Sequence, residues 1–448
     1  MAEARPFHWE YRPDPVAREI FRIEGGMPLS GTVRVSGAKN AALKMLAASV
    51  LTGERCRLTN MPEIEDVRVM AETLRDLGAV VDHPAPNVYE VAAGDVDWLF
   101  VPLEAAAKMR ASFMLLGPLL TRFGRVIISN PGGDRIGRRP VNLHVDAMRA
   151  LGAQIDYRNG YYFAQAPGRL RGAEVTFPFV SVMGTENAML AATLADGHTV
   201  IRPAAREPEV DDLITFLRDM GAEVERTAPD VIEVEGRRRL RGAEHRIIPD
   251  RIEAGTFVVA AAVTGGQVRL EGAPCEHLGA FLDAMAGVGV AVACGRDTIE
   301  VHGAPPTERD YRACDLVTAP YPGLATDLQP PTAVLLTQAR GESHIDEEIF
   351  EDRLEWLGEL GRMGAQVRIE DAHHATITGP TGLRGAEVSI GDLRAGASLM
   401  LAALAAEGTT VINGAHHVHR GYENIEGKFL DLGARIERLA EGSPVTTS

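Results

Sequence analysis

Hydrophobic and polar positions alternate along the chain in a pattern that occurs six times. Each copy contains an amphipathic helical stretch, a Gly directly after a large apolar residue, and a short stretch in which apolar and polar residues alternate. Gly stops helices by adopting the left-handed conformation, and alternation is typical of a strand. The pattern therefore predicts six helix–Gly–strand units, spaced roughly seventy residues apart. The six glycines are Gly78, Gly152, Gly221, Gly289, Gly364 and Gly433.

A second repeated motif marks the start of a strand that is followed by a different kind of helix. It reads LSGTV at Leu29 and LRGAE at Leu170, Leu240 and Leu383, and the helices that follow are rich in Ala and apolar on nearly every face. Such helices are buried, and small side chains let them approach closely. The sequence thus predicts an α/β fold of two inside-out, barrel-like domains, each with three β-α-β-α-β-β repeats around buried helices. An ordinary doubly wound α/β sheet is the alternative, although it requires neither the repeat nor helices of this kind.

Length and composition are those of a globular protein with two or three domains. The 448 residues are 45% hydrophobic and 24% charged, which excludes a disordered or fibrous chain. The formal charge of −16 argues against binding to nucleic acid or to an anionic membrane, since both require a basic face. A small anionic ligand remains compatible with this charge, because a few convergent Arg side chains make a local positive site.

Cysteine spacing and the length of the apolar runs favour a cytoplasmic location. Cys56, Cys275, Cys294 and Cys314 are scattered, and their spacing predicts neither a zinc site nor a disulfide framework. The longest apolar runs are about ten residues, too short to span a bilayer. Residues 1–20 are polar and contain Pro, so we interpret them as a loosely ordered leader and not as a signal peptide.

The segment SGAKN, residues 36–40, joins a strand pattern to the first buried helix. A Gly-rich turn that places Lys39 and Asn40 at a helix N-terminus favours an anion site. Lys is rare among the 46 basic residues, which makes Lys39 a stronger candidate. The alternative is a plain helix start with a solvated Lys. Arg110, in KMRAS, occupies the same place in its own unit, and a solvated surface Arg is the alternative there.

The segment PGGDRIGRRP, residues 131–140, has the densest candidate chemistry. Its Gly residues make a mobile loop with exposed N–H groups, and three Arg residues surround Asp134. Such a loop can close over an anionic substrate and carry a carboxylic acid to it. The alternative is a basic surface turn in which Asp134 only pairs with its Arg neighbours.

Further candidates lie late in the chain. Arg suits a bidentate grip on phosphate and carboxylate, and three such residues stand beside unit boundaries: Arg353, Arg394 and Arg420. Asp327 begins another helix, and the sequence by itself favours a helix N-cap at this position. His416, His417 and His419 look like a metal cluster, but no acidic or Cys partner has ligand spacing, so we predict no metal.

Taken together, these motifs resemble those of the enolpyruvyl transferases. The resemblance runs from Phe21 to Leu439 and rests on motifs in family order: SGAKN, KMRAS, PGGDRIGRRPVNLH, AAREPE, PDRIEAGTF, TDLQ, FEDR, DLRAGASL and HRGYE. It implies two domains that face each other across a cleft. The N-terminal strand would belong to the C-terminal domain. Residues 21–38 and 249–448 would then form one discontinuous domain, with residues 39–248 as an inserted domain that carries the catalytic loop.

The resemblance also implies a reaction. The enolpyruvyl group of phosphoenolpyruvate would be transferred to the 3-hydroxyl of UDP-N-acetylglucosamine with release of phosphate, the first committed step of peptidoglycan synthesis and hence of cell-wall biogenesis. The partners would be these two small molecules, and no cofactor would be needed. The sequence does not determine the oligomeric state.

The resemblance to the enolpyruvyl transferases implies a role for each residue that matches one of the family's motifs. The catalytic residues would be Lys39, Asp134, Asp327 and Arg420. The residues that bind phosphoenolpyruvate would be Lys39, Asn40, Arg110, Arg139, Arg353, Arg394 and Arg420. The residues that bind UDP-N-acetylglucosamine would be Arg139, Pro140, Val141, Asn142, Leu143, Ser181, Val182, Asp327 and Ile349. Asp327 would take the proton of the attacking hydroxyl, and whether Asp134 or Asp327 delivers the proton to carbon stays open.

Several positions depart from the family pattern. Asp134 stands where the family usually has Cys, and a carboxyl can act as the acid if burial raises its pKa. The thiol that fosfomycin alkylates is then absent, so we expect resistance to fosfomycin. Met183 and Asn142 also differ, which leaves open a specialised enolpyruvyl transferase for another uridine nucleotide, or a catalytically silent paralogue that binds nucleotide sugars. The shikimate-phosphate branch fits less well, because its usual Asn-Ala-Gly-Thr turn is missing where KMRAS stands.

Overall fold

The computed structural model describes residues 19–440, which form a mixed α/β protein of six small sheets. Residues 1–18 of the predicted leader, and residues 441–448, lie outside the described residues. Glu19 and Ile20, which the sequence interpretation assigned to the leader, are instead the first residues of a strand. The reason is burial, since Ile20, Phe21 and Ile23 of that strand are all inside the protein.

Strands and helices alternate through the described range. The strands are β1 (Glu19–Glu24), β2 (Ser30–Arg34), β3 (Arg55–Thr59), β4 (Val80–Ala85), β5 (Val88–Ala92), β6 (Phe100–Val101), β7 (Arg125–Ser129), β8 (Gln154–Arg158), β9 (Tyr161–Gln165), β10 (Glu174–Thr176), β11 (His198–Arg202), β12 (Glu223–Ala228), β13 (Val231–Glu235), β14 (Glu244–Arg246), β15 (Gln267–Glu271), β16 (Ala291–Cys294), β17 (Thr298–His302), β18 (Leu316–Val317), β19 (Gly341–Asp346), β20 (Gln366–Ile369), β21 (His374–Gly379), β22 (Glu387–Ser389), β23 (Thr409–Asn413) and β24 (Arg435–Ala440). The α-helices are α1 (Lys39–Ala48), α2 (Glu65–Asp76), α3 (Leu103–Ala106), α4 (Leu116–Phe123), α5 (Asn142–Ala150), α6 (Val182–Ala192), α7 (Pro208–Asp219), α8 (Arg251–Thr264), α9 (Gly279–Val288), α10 (Gln329–Leu336), α11 (Leu357–Arg362), α12 (Leu393–Ala405), α13 (His416–His419) and α14 (Ile425–Asp431). None of these helices is both long and apolar enough to cross a membrane.

Every sheet has four strands in the same kind of order. Two strands pair in parallel, and one of these also pairs with the inner strand of an antiparallel pair, as in β10-β11-β13-β12. The antiparallel pair is a hairpin in five sheets, and in the sixth it joins β1 to β24. The six predicted repeats are these six sheets with their helices. All six glycines of the repeated phrase have positive φ, between +90° and +102°. The left-handed conformation at each of them ends an amphipathic helix and leads into a strand, as the sequence predicts.

Buried apolar residues form two separate cores. The first extends from Ala38 to Ile247 and encloses α1, α4 and α6. The second combines Phe21–Val35 with Ile252–Ile436 and encloses α8, α10 and α12. We call the residues around these cores the first lobe and the second lobe. All 14 residues of α8 are buried, which confirms the prediction of helices without a polar face.

The N-terminal strands lie in the second lobe. Strand β1 pairs with β23 and β24, and β2 pairs in parallel with β15. We propose that the domain boundaries fall close to the points given by the sequence interpretation, 38/39 and 248/249, because the two cores divide between Val35 and Ala38 and between Ile247 and Ile252.

The chain passes between the lobes twice, and the two crossings lie side by side. Gly37 forms an isolated β-bridge with Pro249, and the N–H of Asp250 donates to the carbonyl of Ser36 at 2.8 Å. Lys428 attaches α14 to the same point, since its Nζ donates to Ser36 Oγ at 2.7 Å. Helices α1 and α8 therefore begin next to each other, each directly after a crossing.

The prediction from cysteine spacing is wrong for one pair. Cys275 and Cys294 form a disulfide in the second lobe, across 19 positions of sequence. Cys275 follows β15 and Cys294 ends β16, and both strands pair with β17. The sheet thus brings together two cysteines that look scattered in the sequence, and the cysteine-based argument for a reducing compartment no longer holds.

Candidate active site

Lys39 is buried at the start of α1 and is paired with an acidic residue. Lys39 is 7% exposed, and its Nζ lies 2.8 Å from Oδ2 of Asp66, which belongs to the first turn of α2. The backbone N–H of Lys39 donates to the Asp250 carboxylate at 3.1 Å, and the same carboxylate caps α8. The alternative of a solvated Lys at a plain helix start is therefore wrong.

Arg420 comes from the second lobe, directly after α13, and reaches the same acidic residue. Its Nε and Nη2 donate to the two oxygens of Asp66 at 3.0 and 3.3 Å. Its Nη1 donates to Oδ1 of Asp134 at 2.6 Å. Asp134 is thus bound by a cation of the other lobe, and not only by its Arg neighbours in the loop. Lys39, Asp66, Arg420 and Asp134 form a chain of ion pairs in which Arg420 joins the two carboxylates, and we call these four residues the ionic cradle.

Burial and nearby cations act in opposite directions on the pKa of Asp134. Burial raises it, but the positive charges of Arg420, Lys39 and Arg139 outweigh burial and hold the pKa of this carboxyl below its ordinary value. The condition given from the sequence, a pKa raised by burial, is therefore not met here, because the buried carboxyl lies among cations. Asp134 is a carboxylate at neutral pH for as long as those cations face it.

Asp327 lies between two buried Arg side chains of the second lobe. It belongs to a 3₁₀ turn, Thr326–Leu328, and its carboxylate oxygens accept from Arg353 Nη2 at 3.0 Å and from Arg394 Nε at 3.1 Å. The Arg394 guanidinium lies 5.0 Å from the ring centroid of Tyr422. Burial raises the pKa of Asp327, but the charges of the two Arg residues dominate and lower it far below the usual range. The N-cap that the sequence favoured is wrong, since this carboxylate faces two cations.

Arg139 and Arg110 line a polar pocket beside these two groups. The pocket has a volume of about 460 Å³, and its wall also includes Pro140, Val141 and Asn142. Burial lowers the pKa of Arg139, whose charge acts on Asp134, Asp327 and Arg420. Burial and the charge of Arg139 lower the pKa of Arg110 to about 10. Within residues 19–440 neither Arg has an ion-pair partner within 4.0 Å, so the pocket is suited to an anion.

The Gly-rich loop, residues 131–140, contacts the second lobe. The N–H of Arg138 donates to Oε1 of Glu351 at 2.9 Å, and the N–H of Asp352 donates to the carbonyl of Ile136 at 3.3 Å. Gly137 has φ +142°, a conformation that other residues rarely adopt, and a Cβ there would lie 2.5 Å from the Glu351 carboxylate, so a larger residue would be strained and would require Glu351 to move. The loop therefore joins the two lobes beside the ionic cradle.

The remaining predicted residues are placed less directly. Asn40 is half-buried in α1. Ser181 caps α6 through its Oγ, and Val182 begins that helix. Leu143 is 6% exposed and packs in the first core, so it is not brought to the pocket wall. Ile349 is half-buried and donates its N–H to a buried carboxylate. The roles of these residues stay predictions.

The three His residues of α13 lie immediately before Arg420. His419 contacts Glu426, with Nε2 3.2 Å from the carboxylate, and the rings of His416 and His417 lie 4.2 Å apart. Across residues 19–440, no group of three or more His, Cys, Asp or Glu side chains is arranged to hold a metal ion.

Asp66 is the residue that sequence reasoning missed. Its position at the start of α2 is typical of an acid that complements the helix dipole. A signal was nevertheless present, because Asp66 shares a face with Val69, Met70 and Thr73, all of which are buried. A charged side chain on the buried face of an amphipathic helix requires a partner inside the protein.

Comparison with known proteins places this fold among the enolpyruvyl transferases. The enolpyruvyl transferase NikO from Streptomyces tendae superposes with a TM-score of 0.86 at 27% identity, covering 94% of this chain and 99% of that one. An EPSP synthase from Acinetobacter baumannii shares the fold, with a TM-score of 0.74 at 20% identity, covering 94% of this chain and 100% of its own.

Sequence comparison narrows the class. The family model described as EPSP synthase (3-phosphoshikimate 1-carboxyvinyltransferase) matches residues 23–429. A UDP-N-acetylglucosamine 1-carboxyvinyltransferase from Methylocella silvestris is 46% identical, covering 94% of this chain and 99% of the relative. One from Caldanaerobacter subterraneus subsp. tengcongensis is 45% identical, covering 93% and 99%. The chain belongs to the EPSP synthase family, and within it to the UDP-N-acetylglucosamine 1-carboxyvinyltransferases.

Proposed function

We propose that this protein transfers the enolpyruvyl group of phosphoenolpyruvate to the 3-hydroxyl of UDP-N-acetylglucosamine and releases phosphate, the first committed step of peptidoglycan synthesis. One observation carries the proposal: four cations, each paired with a carboxylate, lie in two neighbouring groups, Lys39 with Arg420 and Arg353 with Arg394. The groups are close enough for the charge of Lys39 to act on Asp327 and that of Arg353 to act on Asp134. A substrate with about three negative charges requires such a preorganised cationic site. The names of the relatives support the same acceptor. A cytoplasmic location belongs to this proposal and rests on the nucleotide-sugar substrate alone.

The cations divide between the two ends of phosphoenolpyruvate. Lys39 and Arg420 hold the phosphate. Lys39 Nζ has further N–H groups besides the one directed at Asp66, and the N–H of Arg420 Nη1 can exchange Asp134 for a phosphate oxygen. Arg353 and Arg394 hold the carboxylate end beside Asp327. Arg139, between the two groups, and Arg110 complete the anionic site and lead into the pocket that receives the nucleotide.

Asp134 becomes an acid only when substrate arrives. Without substrate, Arg420 and Lys39 keep it ionised. A phosphate dianion that takes those cations removes their stabilising charge and adds a like charge nearby, and both changes raise the pKa of Asp134. The carboxylate then takes up a proton from water and donates it to the methylene carbon of the enol phosphate.

Asp327 completes the addition step. It is ionised at neutral pH, because Arg394 and Arg353 lower its pKa, and it accepts the proton of the sugar hydroxyl as that oxygen bonds to the central carbon. In the elimination step the carbon–oxygen bond to phosphate breaks, and phosphate leaves with the bonding electrons and takes the proton held by Asp327. The methyl group loses a proton to the Asp134 carboxylate, which restores the double bond. Asn40, beside Lys39, positions the tetrahedral intermediate.

A coupled assay of phosphate release tests the proposal. Phosphate should appear with phosphoenolpyruvate and UDP-N-acetylglucosamine together and with neither alone. Shikimate 3-phosphate serves as the acceptor control and should give no release. Binding of both substrates without release would overturn the proposal in favour of a silent nucleotide-sugar-binding paralogue.

Another uridine nucleotide is the second candidate acceptor. Asn142, one of the positions that depart from the family pattern, lies on the wall of the pocket next to Arg139. Release of phosphate with UMP or UDP, and not with UDP-N-acetylglucosamine, would establish this alternative.

A further inference from the structure

We propose that Asp66 is a positioning residue of the phosphate site: its carboxylate holds Lys39 and Arg420 in one fixed arrangement, so that their remaining donors meet the same phosphate group. The inference rests on the proposed function and deepens it, since neither the sequence motifs nor the names of the relatives assign a role to this residue.

Both oxygens of the Asp66 carboxylate are bound by the two cations of the site. Its two oxygens receive Nζ of Lys39 and both Nε and Nη2 of Arg420, at 2.8 to 3.3 Å. It is 3% exposed, so water does not replace these partners. A two-point contact fixes the plane of a guanidinium, which a single contact does not. The third nitrogen of Arg420, Nη1, is thereby aimed at Asp134 on the cleft side.

The carboxylate also joins the two lobes. Lys39 and Asp66 belong to the first lobe, whereas Arg420 follows α13 of the second lobe. Asp66 thus brings a cation from across the cleft beside a cation of its own lobe. Two like charges placed side by side repel each other unless an anion lies between them. With Asp66 between them, the pair is assembled before phosphate arrives, and binding does not have to supply that ordering.

A positioning role and a plain counter-ion role make opposite predictions. A counter-ion only balances charge, so Asp66→Asn would raise the positive charge of the cradle and tighten its hold on phosphate. A positioning residue fixes donors, so the same substitution would loosen Arg420 and Lys39 and weaken phosphate binding in spite of the added positive charge.

The experiment measures binding of inorganic phosphate by calorimetry, together with steady-state kinetics, on the full-length protein. We expect Asp66→Asn to lower kcat/KM for phosphoenolpyruvate and the affinity for phosphate by about tenfold each, roughly the contribution of one charge-assisted hydrogen bond. The KM for UDP-N-acetylglucosamine should change by less than about twofold, since no nucleotide contact is lost. Asp66→Glu, which keeps the charge, should recover part of the loss.

Two control variants separate position from folding. Asp212→Asn removes another buried carboxylate of the first lobe, which contacts His245 at 2.9 Å, and should lower the melting temperature without changing phosphate affinity. Asp76→Asn, at the exposed end of α2, should change neither.

Three results would overturn the proposal. The first is that Asp66→Asn binds phosphate as tightly as the wild-type protein or more tightly, and the second is that its loss of phosphate binding is fully explained by a smaller folded fraction. The third applies if Asp66→Asn does not fold, and it is that folded Asp66→Glu binds phosphate with unchanged affinity. If the wild-type protein binds phosphate but shows no turnover with any acceptor, the proposed function fails, while the binding comparison still tests Asp66.

Discussion

Replacing Asp134 with Asn should destabilise the substrate-free protein and, at the same time, tighten its binding of phosphate. In the structure Asp134 occupies Nη1 of Arg420 at 2.6 Å, the donor that we assign to the phosphate of the substrate. The carboxylate is therefore a competitor that any incoming anion must displace. Removing the charge of Asp134 removes its attraction to Arg420, which stabilises the protein in the absence of phosphate. It also removes the competition between Asp134 and phosphate for Arg420.

The magnitude follows from the burial of the pair and from the second partner of Arg420. Two unit charges about 4 Å apart at an effective dielectric constant of about 20 attract each other by about 4 kcal/mol, before desolvation is subtracted. Breaking a buried pair costs about 3–5 kcal/mol when the remaining charge is left alone. Arg420 keeps Asp66, and its side chain is 14% exposed, so the cost should be smaller, about 1–2 kcal/mol. A similar free energy is returned to phosphate binding, which corresponds to an affinity gain of about 5- to 30-fold.

Thermal and urea unfolding with and without inorganic phosphate measure both effects. At pH 7.5 the variant should be less stable than wild type without phosphate, and it should gain more stability per added phosphate. The pKa of Asp134 is lowered by folding, so its contribution to stability is present above its ordinary pKa and is lost as the pH falls through the lowered value. The difference between the two proteins should therefore shrink below about pH 4.

Turnover provides the third reading. Asp134→Asn should lose activity by about 10²- to 10⁴-fold, the usual contribution of a general acid. Equal or weaker phosphate binding by the variant would refute the idea that Asp134 competes for Arg420. Retained turnover would refute its role as the acid.

Three further predictions follow from particular contacts. Fosfomycin should leave the native protein unmodified in intact-mass spectrometry and should add once to Asp134→Cys; an adduct on the native loop would contradict this. Glu351→Ala removes the acceptor of the Arg138 N–H, so protease cleavage within residues 131–140 should accelerate several-fold, roughly as expected for the loss of one hydrogen bond, and an unchanged cleavage rate would show that the loop is held elsewhere. Asp250→Ala removes the cap of α8 and the acceptor of the Lys39 N–H, so urea unfolding should show a loss of about 1–2 kcal/mol; a loss within error of zero would mean that water caps the helix equally well.

The repeat made most of the fold predictable from the sequence. Gly78 and its five counterparts have a local cause, since a helix end in the left-handed conformation is decided by the few residues around it. The buried helices were equally accessible, because a helix such as α8 has no polar face to offer to water. Both signals lie within one unit and need no knowledge of the other five.

Contacts between segments that are far apart in the chain could not be predicted from the sequence. The Asp66–Arg420 pair joins positions 354 residues apart, and nothing in either segment indicates the other. The same holds for Asp327, whose local context is that of a helix cap and whose partners arrive from Arg353 and Arg394. The sign of the pKa shift of Asp134 also depends on such contacts, since burial and neighbouring cations act in opposite directions. Candidate residues could be named individually, but not the charges that each of them faces.

The pairing of the two interlobe crossings limits how the cleft opens. Because Gly37 and Pro249 are bridged and Lys428 is fastened to the same spot, both connections must bend together, as a single hinge with one axis. Lys39 lies two residues from these crossings, so a rotation of the lobes there would move it little, whereas Arg420 would move with the second lobe. Such a rotation would separate the two cations, and the Asp66 carboxylate that binds both of them opposes it. The contact that orders the phosphate donors therefore also favours the closed arrangement of the lobes.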